Sequence, residues 1–456
     1  MTSSSSAHSS KGILNRLGLH RPELRAWAMY DWALSAMQTV IMTAVFPIYF
    51  ISVAGDGRPP EQATQQLANA NTVAAVVIAL LSPILGAIAD YQAAKKRFLA
   101  WFMFLGVGAT MGMFAIEHGD LWLASTLFVL SLAGATASTT FYESLLPHIA
   151  TDEEIDRVST GAYAIGYVGG GVLLALNLAW ISNPGMFGLP SGEGLTRSEA
   201  TLPARLAFVS VGIWWLLFSM PLLKKVPEPP RLLELDEQAT GNVWRVAVTR
   251  LGETVREMRH YKQAFLTMLA FTIYNDGIQT IIKMATAYGT EIGIGRSDLI
   301  AAVLIVQFVG VPFAFAFGSL AGRLGTKRSI LLGLAVYVGI CVYAYGIQTA
   351  REFYLLAILV GTVQGGTQAL SRSLFASMVP KHKSGEFFGF YSIFEKFGGI
   401  LGPVVFSIAI GQTGSSRGAI LWVIAFFVVG GLLLTRVNPA EGERMAREAD
   451  TGLRTA

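Results

Sequence analysis

Twelve stretches of mostly apolar residues, each about as long as a bilayer is thick, occupy most of this chain. An α-helix needs about 20 such residues to cross about 30 Å of hydrocarbon. Inside that layer every backbone N–H and C=O must be satisfied within the structure, which leaves helices or closed barrels. Runs of this length predict helices near 26–52, 69–90, 97–115, 121–143, 160–182 and 205–223. A second set is predicted near 263–289, 297–320, 327–348, 352–376, 387–411 and 415–436. The expected fold class is therefore an all-α membrane protein with twelve spans. Composition agrees, because 53% of the 456 residues are hydrophobic and only 14% charged, too little charged surface for a soluble chain. The net charge of +4 is too small to suggest nucleic acid as a partner. The single cysteine, Cys341, excludes an intrachain disulfide, and the six histidines show no zinc spacing, so neither metal nor cofactor is expected.

Charge placement orients the spans, since Lys and Arg gather on the cytoplasmic side. With the N-terminus inside, the inner segments hold Lys11, Arg16, Arg21 and Arg25, then Lys95, Lys96 and Arg97, and later Arg323, Lys327, Arg328, Lys381 and Lys383. The outer loops hold only scattered basic residues such as Arg58, Arg197 and Arg351. Both termini are expected in the cytoplasm. The Ser-rich stretch Met1–Ser10 reads as a disordered tail, and the run from Ala26 to Val53 is too long for a signal peptide. The division expected is a tail over 1–25, a six-helix half over 26–223, a linker over 224–262, a second half over 263–436 and a tail over 437–456. Within the linker, Val243 to His260 places apolar residues at helical spacing against arginines, which suits a surface amphipathic helix or a solvated one equally.

The second span closes with Gly86-Ala-Ile-Ala-Asp90, followed by Lys95-Lys96, and the eighth with Gly318-Ser-Leu-Ala-Gly322-Arg323, followed by Lys327-Arg328. Gly318 lies 232 residues after Gly86, and Lys327 lies 232 after Lys95, so the loop occurs twice and the halves are duplicates. It resembles the major facilitator loop signature, Gly-x-x-x-Asp-basic-x-Gly-x-basic-basic. The first copy departs from it at Tyr91 and Ala93, and the second at Gly322. The runs Tyr30-Asp-Trp-Ala-Leu-Ser-Ala36, Phe141-Tyr-Glu-Ser-Leu-Leu-Pro-His148, Tyr274-Asn-Asp-Gly-Ile-Gln279 and Gln364-Gly-Gly-Thr-Gln-Ala-Leu-Ser-Arg372 are similar to the vacuole-effluxer-like family of major facilitators. The family pattern usually has Asn where this chain has Leu34 and Glu143. The resemblance implies two pseudo-symmetric six-helix halves and transport of amino acids or peptides. A bacterial member of that family would sit in the inner (plasma) membrane and work as a monomer.

A charge at bilayer depth costs about 2.5–3.5 kcal/mol on insertion scales, so each needs a partner, a watery cavity or a task. Asp31, Ser35 and Gln38 form one polar stripe in the first span. In the seventh, Asn275 and Asp276 are followed by Gln279 and Lys283, and in the tenth Gln364, Gln368 and Arg372 advance four residues at a time. Tyr167 and Asn177 of the fifth span, and Glu395 and Lys396 of the eleventh, are further candidates for solute or proton binding. Asp31 could equally cap its helix, Asp276 with Lys283 could be a structural ion pair, and Arg372 could neutralise Glu395. Glu143 reads as an inner-mouth residue solvated at the interface. The signature residues Gly86, Asp90, Lys95, Lys96, Gly318, Arg323, Lys327 and Arg328 are expected in gating loops.

Gly166 to Gly171 superficially resembles a nucleotide loop, but it lies inside an apolar helix with no strand before it, so close helix packing is expected. No Walker sequence is present, and the chain is read as a secondary transporter of a small polar solute rather than an enzyme. Proton coupling through Asp31, Asp276 or Glu395 and facilitated diffusion are both compatible with the sequence. Efflux of an amphiphile and a non-transporting membrane sensor are the alternatives. Multidrug antiport is disfavoured, because the fifth span lacks that group's Gly-Pro and the fourth its arginine.

Overall fold

A computed structural model describes residues 18–233, 261–413, 416–451 and 454–455. The tail Met1–Ser10 and the predicted linker helix Val243–His260 lie outside the described residues, as do the side chains of Lys283 and Lys396. Twelve long helices follow one another. In the first half they are α1 (Pro22–Ala54), α2 (Pro60–Gln92), α3 (Lys95–Gly112), α4 (Leu121–Ser144), α5 (Ile155–Ser182) and α6 (Arg197–Lys225). In the second they are α7 (Lys262–Glu291), α8 (Arg296–Leu324), α9 (Thr326–Tyr345), α10 (Ala350–Ser377), α11 (Ser384–Thr413) and α12 (Ser416–Thr435). Among the described residues ten of these are long and apolar enough to cross a membrane, and the 30-residue α7 and α11 complete the twelve. A short helix α13 (Pro439–Asp450) follows, and the described β-structure is one two-residue pairing of Leu232–Leu233 with Arg454–Thr455.

Local chemistry sets the helix ends. Proline at the first helical position, where no N–H is needed, opens α1, α2 and α13. Thr196 with Glu199 and Thr349 with Glu352 form capping boxes that start α6 and α10. Helix α1 is irregular: Met37–Ala44 and Phe50–Ala54 are π-helical, with Val45 N–H donating to Val40 O at 2.8 Å. Pro47, which has no N–H to donate, starts the regular turn between them. Widened turns of this kind are frequent at functional positions, and Gln38 and Met42 lie on this one.

The two halves repeat the same packing. In the first, α1 packs on α5 and α6, α4 on α2 and α3, and α3 on α6. In the second, α7 packs on α11 and α12, α10 on α8 and α9, and α9 on α12. The halves meet along α2 against α11 and, as the symmetric counterpart, α5 against α8.

Candidate functional site

The meeting of the halves is closed at the end of the bundle that carries the loops after α2, α4, α8 and α10. Glycines permit the approach. A Cβ built on Gly86 would lie 2.6 Å from the carbonyl carbon of Gly385, and one on Gly389 would lie 2.7 Å from Pro83 Cα. On the symmetric side, a Cβ on Gly318 would collide with Thr160. Polar contacts complete the seal. Buried Lys95 pairs with Asp90 at 2.5 Å, donates to Ser384 Oγ at 2.7 Å and lies 3.0 Å from His148 Nε2. Asp90 also accepts from Glu386 N–H at 3.0 Å, so it caps the start of α11 in the opposite half.

The second loop copy carries Gly322 where the signature has aspartate, and the equivalent carboxylate comes from another helix. Asp156, at the start of α5, accepts from Ser373 Oγ and Thr326 Oγ1, each at 2.5 Å. The contacts given for Lys96 and Lys327 lie within their own halves. Lys96 Nζ donates to Val226 O at 2.5 Å beyond α6, and Lys327 Nζ to Val437 O at 2.7 Å beyond α12. Each is a cation on the carbonyl end of its own half's last helix, where the helix dipole favours it. Arg323 and Arg328 are exposed.

Above the seal lies a buried charge cluster centred on Arg372 of α10. Its guanidinium donates to Asp31 Oδ2 at 3.3 Å from both terminal nitrogens, to Ser159 Oγ at 2.9 Å and to Ser159 O at 3.0 Å. Glu143 of α4 stands 4.0 Å away. Tyr142 donates to Asp31 at 2.8 Å, and Tyr163, Trp27 and Tyr142 place rings 4.6, 5.0 and 5.7 Å from the guanidinium carbon. Every one of these partners belongs to the first half, so a single arginine of the second half is held by three helices of the first, α1, α4 and α5.

A cavity of about 430 Å³, its mouth included, rests on this cluster. Helix α1 contributes Leu34, Gln38 and Met42, α4 contributes Leu132, Ala135, Thr136, Thr139, Thr140 and Glu143, and α11 contributes Ser392 and Glu395. Leu34 is buried while Gln38 and Met42 are exposed, so the cavity opens away from the sealed end.

The sequence-predicted residues divide accordingly. Asp31 and Arg372 meet each other, and Gln38 and Glu395 line the cavity. Ser35 instead packs against Gly166, where a Cβ would lie 2.8 Å from its Oγ, and a Cβ on Gly170 would lie 3.0 Å from Ser35 O. The glycine run is thus a helix contact, as expected. Tyr167 bonds Gln364 across the halves and packs on Gly310 and Gly365. Gln368 donates to Asn275 at 3.4 Å, Asp276 is buried against Gly402 of α11, and Gln279 is half-buried. Asp276 therefore faces helix packing in its own half, not the α1–α4–α11 cavity. Asn177 accepts from Ser210 at 2.9 Å between α5 and α6, away from the cavity. Arg372 meets Asp31 at 3.3 Å and Glu143 at 4.0 Å. Glu143, read as a solvated mouth residue, is in fact 7% exposed and faces both cavity and arginine. Thr136, Thr139, Thr140 and Glu143 lie at i, i+3, i+4 and i+7, a polar stripe in the sequence that would have revealed it.

Two six-helix halves closed at one end around a polar cavity define a transporter of the major facilitator type. The family model described as "Vacuole effluxer Atg22 like" matches residues 68–447, and the chain belongs to this family. It is 37% identical over 414 residues to an uncharacterized MFS-type transporter, YxiO, of Bacillus subtilis, covering 90% of this chain and 94% of that one. It is 25% identical to autophagy-related protein 22 of Yarrowia lipolytica over 65% of this chain, spanning about half (52%) of that relative's length. Solved structures share the fold. The proton:xylose symporter XylE superposes with a TM-score of 0.67 at 15% identity, covering 94% of this chain and 98% of that one. FucP in the outward conformation gives 0.68 at 12% identity, covering 92% and 100%.

Proposed function

We propose that this protein is a secondary transporter that moves a small polar solute, an amino acid or peptide, across the plasma membrane by alternating access. The reading rests chiefly on the polar cavity of α1, α4 and α11, open at one end and sealed by inter-half contacts at the other. The moving bodies are the halves at 26–223 and 263–436, joined by the linker over 224–262, and the monomer is sufficient. Both termini are cytoplasmic, which makes the sealed end the inner one and this state outward-open. Rocking the halves about the cavity would break the α2–α11 and α5–α8 contacts and expose the site inside.

The family supports amino acids as the cargo class. The lining favours a polar solute over a lipid-like one, because Gln38, three threonines, Ser392 and two glutamates face the cavity against Leu34, Met42, Leu132 and Ala135. Proton coupling falls to the carboxylates that reach this cavity or its floor, Asp31, Glu143 and Glu395. Purified protein in proteoliposomes, offered a panel of radiolabelled amino acids with and without an imposed pH gradient, tests this reading. Uptake of at least one amino acid supports it, and acceleration by the gradient supports coupling. Transport of a dye or lipid with no amino-acid movement would overturn it.

A further inference from the structure

Glu143 both lines the cavity and stands within ion-pair distance of Arg372. Its contact is the looser of the two that arginine makes with carboxylates, 4.0 Å against 3.3 Å to Asp31. Arg372 keeps Asp31, both oxygens of Ser159 and three aromatic faces whether or not Glu143 stays. The guanidinium is 2% exposed and lies beneath the cavity floor, so it is not itself available to a solute. On the cavity side, Thr139, Thr140 and Ser392 offer hydroxyls around the same carboxylate, while Leu34, Met42 and Leu132 line an apolar wall. The described charged and titratable groups around Glu143 include Arg372, which also holds Asp31, with Tyr163 and Tyr391 from packed helices, Glu395 in the same cavity lining and Tyr142 beside it on its own helix.

From this geometry we propose that Glu143 takes the ammonium group of the transported solute and in doing so gives up Arg372, so that filling the cavity loosens the contact between the halves. One carboxylate cannot serve two cations in opposite directions at full strength. A solute ammonium seated among the hydroxyls competes for Glu143 from above. What remains holding Arg372 is Asp31 and Ser159, and the attraction across the halves falls by one of its two charge contacts. Occupancy is thereby converted into a weaker seal, the differential interaction that a solute needs to shift a two-state equilibrium. This rests on the amino-acid reading above, but it separates the roles of the two ends of such a molecule: the amine triggers and the carboxylate does not.

Nitroxide labels at exposed Gln92 and Arg328, in a Cys341→Ser background in lipid nanodiscs, report the distance between the sealed ends of the two halves. The probes are L-leucine, 3-methylbutylamine, which lacks the carboxylate, and 4-methylpentanoate, which lacks the amine. Leucine and the amine are expected to move the population to the longer distance, and the carboxylate is not. Glu143→Gln is expected to lengthen the distance with no ligand present and to weaken leucine binding about tenfold, the effect of losing one charged contact. Glu143→Asp should restore both in part, which a merely structural role would not. An equal response to 4-methylpentanoate, or a Glu143→Gln variant that responds as the unaltered protein does, would overturn the assignment. If none of the probes binds while Glu143→Gln still lengthens the distance, the ammonium assignment falls with the amino-acid reading and the Arg372 contact stands.

Discussion

Ala93 ends α2 with φ 49° and ψ 53°, the only described non-glycine residue with positive φ. It stands where the loop signature carries glycine, and its counterpart 232 residues on is Gly325, with φ 85° and ψ 150°. An L-residue in the left-handed region costs about 1–2 kcal/mol relative to its right-handed conformation. Glycine escapes that cost but loses about 0.5–1 kcal/mol more backbone entropy on folding than alanine. Ala93→Gly is therefore expected to stabilise the protein by about 0.5–1 kcal/mol. Gly325→Ala runs the other way. Its φ and ψ fall in a region that is essentially glycine's alone, which costs a side-chain-bearing residue about 1–3 kcal/mol. The smaller unfolded-state entropy of alanine returns about 0.4–1 kcal/mol of that. No atom lies within 4 Å of a Cβ built on Gly325, so the cost is backbone strain and not collision. A net destabilisation of about 1–2 kcal/mol follows. SDS-titration unfolding in mixed micelles, read by tryptophan fluorescence, compares the two variants with the parent. A destabilised Ala93→Gly together with a neutral Gly325→Ala would show that the helices do not end as described.

Three other outcomes follow from the inter-half contacts. Gly86→Val pushes a branched side chain into the Gly385 backbone, so the distance between labelled Gln92 and Arg328 should lengthen and solute counterflow should be lost. Arg372→Met strands Asp31 on a half-buried, tyrosine-bonded site and should cost up to about 3–5 kcal/mol, with Asp31→Asn recovering part of the loss in the double variant. Glu443 of α13 has its carboxyl pushed above the ordinary 4.5 by burial, and next by Asp152. A raised folded value means that docking of α13 is strongest at low pH and weakens as pH rises through that value. Glu443→Gln should therefore protect α13 from hydrogen exchange at pH 7, and the difference from the parent should vanish below about pH 4.5.

The twelve spans were legible because hydrocarbon imposes one length and one polarity on every crossing. The duplicated loop was legible because Gly86 and Gly318 repeat at a fixed offset, and each lies on an inter-half contact. The division of labour within the loop was not legible. Lys95 and Lys96 are neighbours of identical chemistry, yet one joins the halves and the other holds the end of α6. That difference depends on which way a helix start faces, and two adjacent lysines do not encode it. The polar stripe of α1 divides for a similar reason. Asp31 and Gln38 point between the halves, but Ser35 sits under Gly166, and only the partner helix decides which edge of a stripe is buried. For Asp276 the spacing shows a face without showing that Gly402 of α11 packs on it.

The charge cluster explains why both faces of this arrangement must be polar although it lies at the heart of the bundle. Arg372 cannot be neutralised within its own half by the described contacts, since its charge and hydrogen-bond partners, Asp31, Glu143 and Ser159, all come from the other. Separating the halves at this end therefore exposes a buried cation and two carboxylates together, at a cost that falls steeply once water enters. The aromatic faces of Trp27, Tyr142 and Tyr163 soften that cost by holding the cation on the closed side, and the tyrosine hydroxyl on Asp31 does the same for the anion. A seal built this way is stable when dry and weak when wetted. An alternating-access transporter needs that combination, because the solute must be able to tip the balance with the energy of a few polar contacts. Glu143 is where those contacts reach the seal, since it is the member of the cluster that the cavity touches directly.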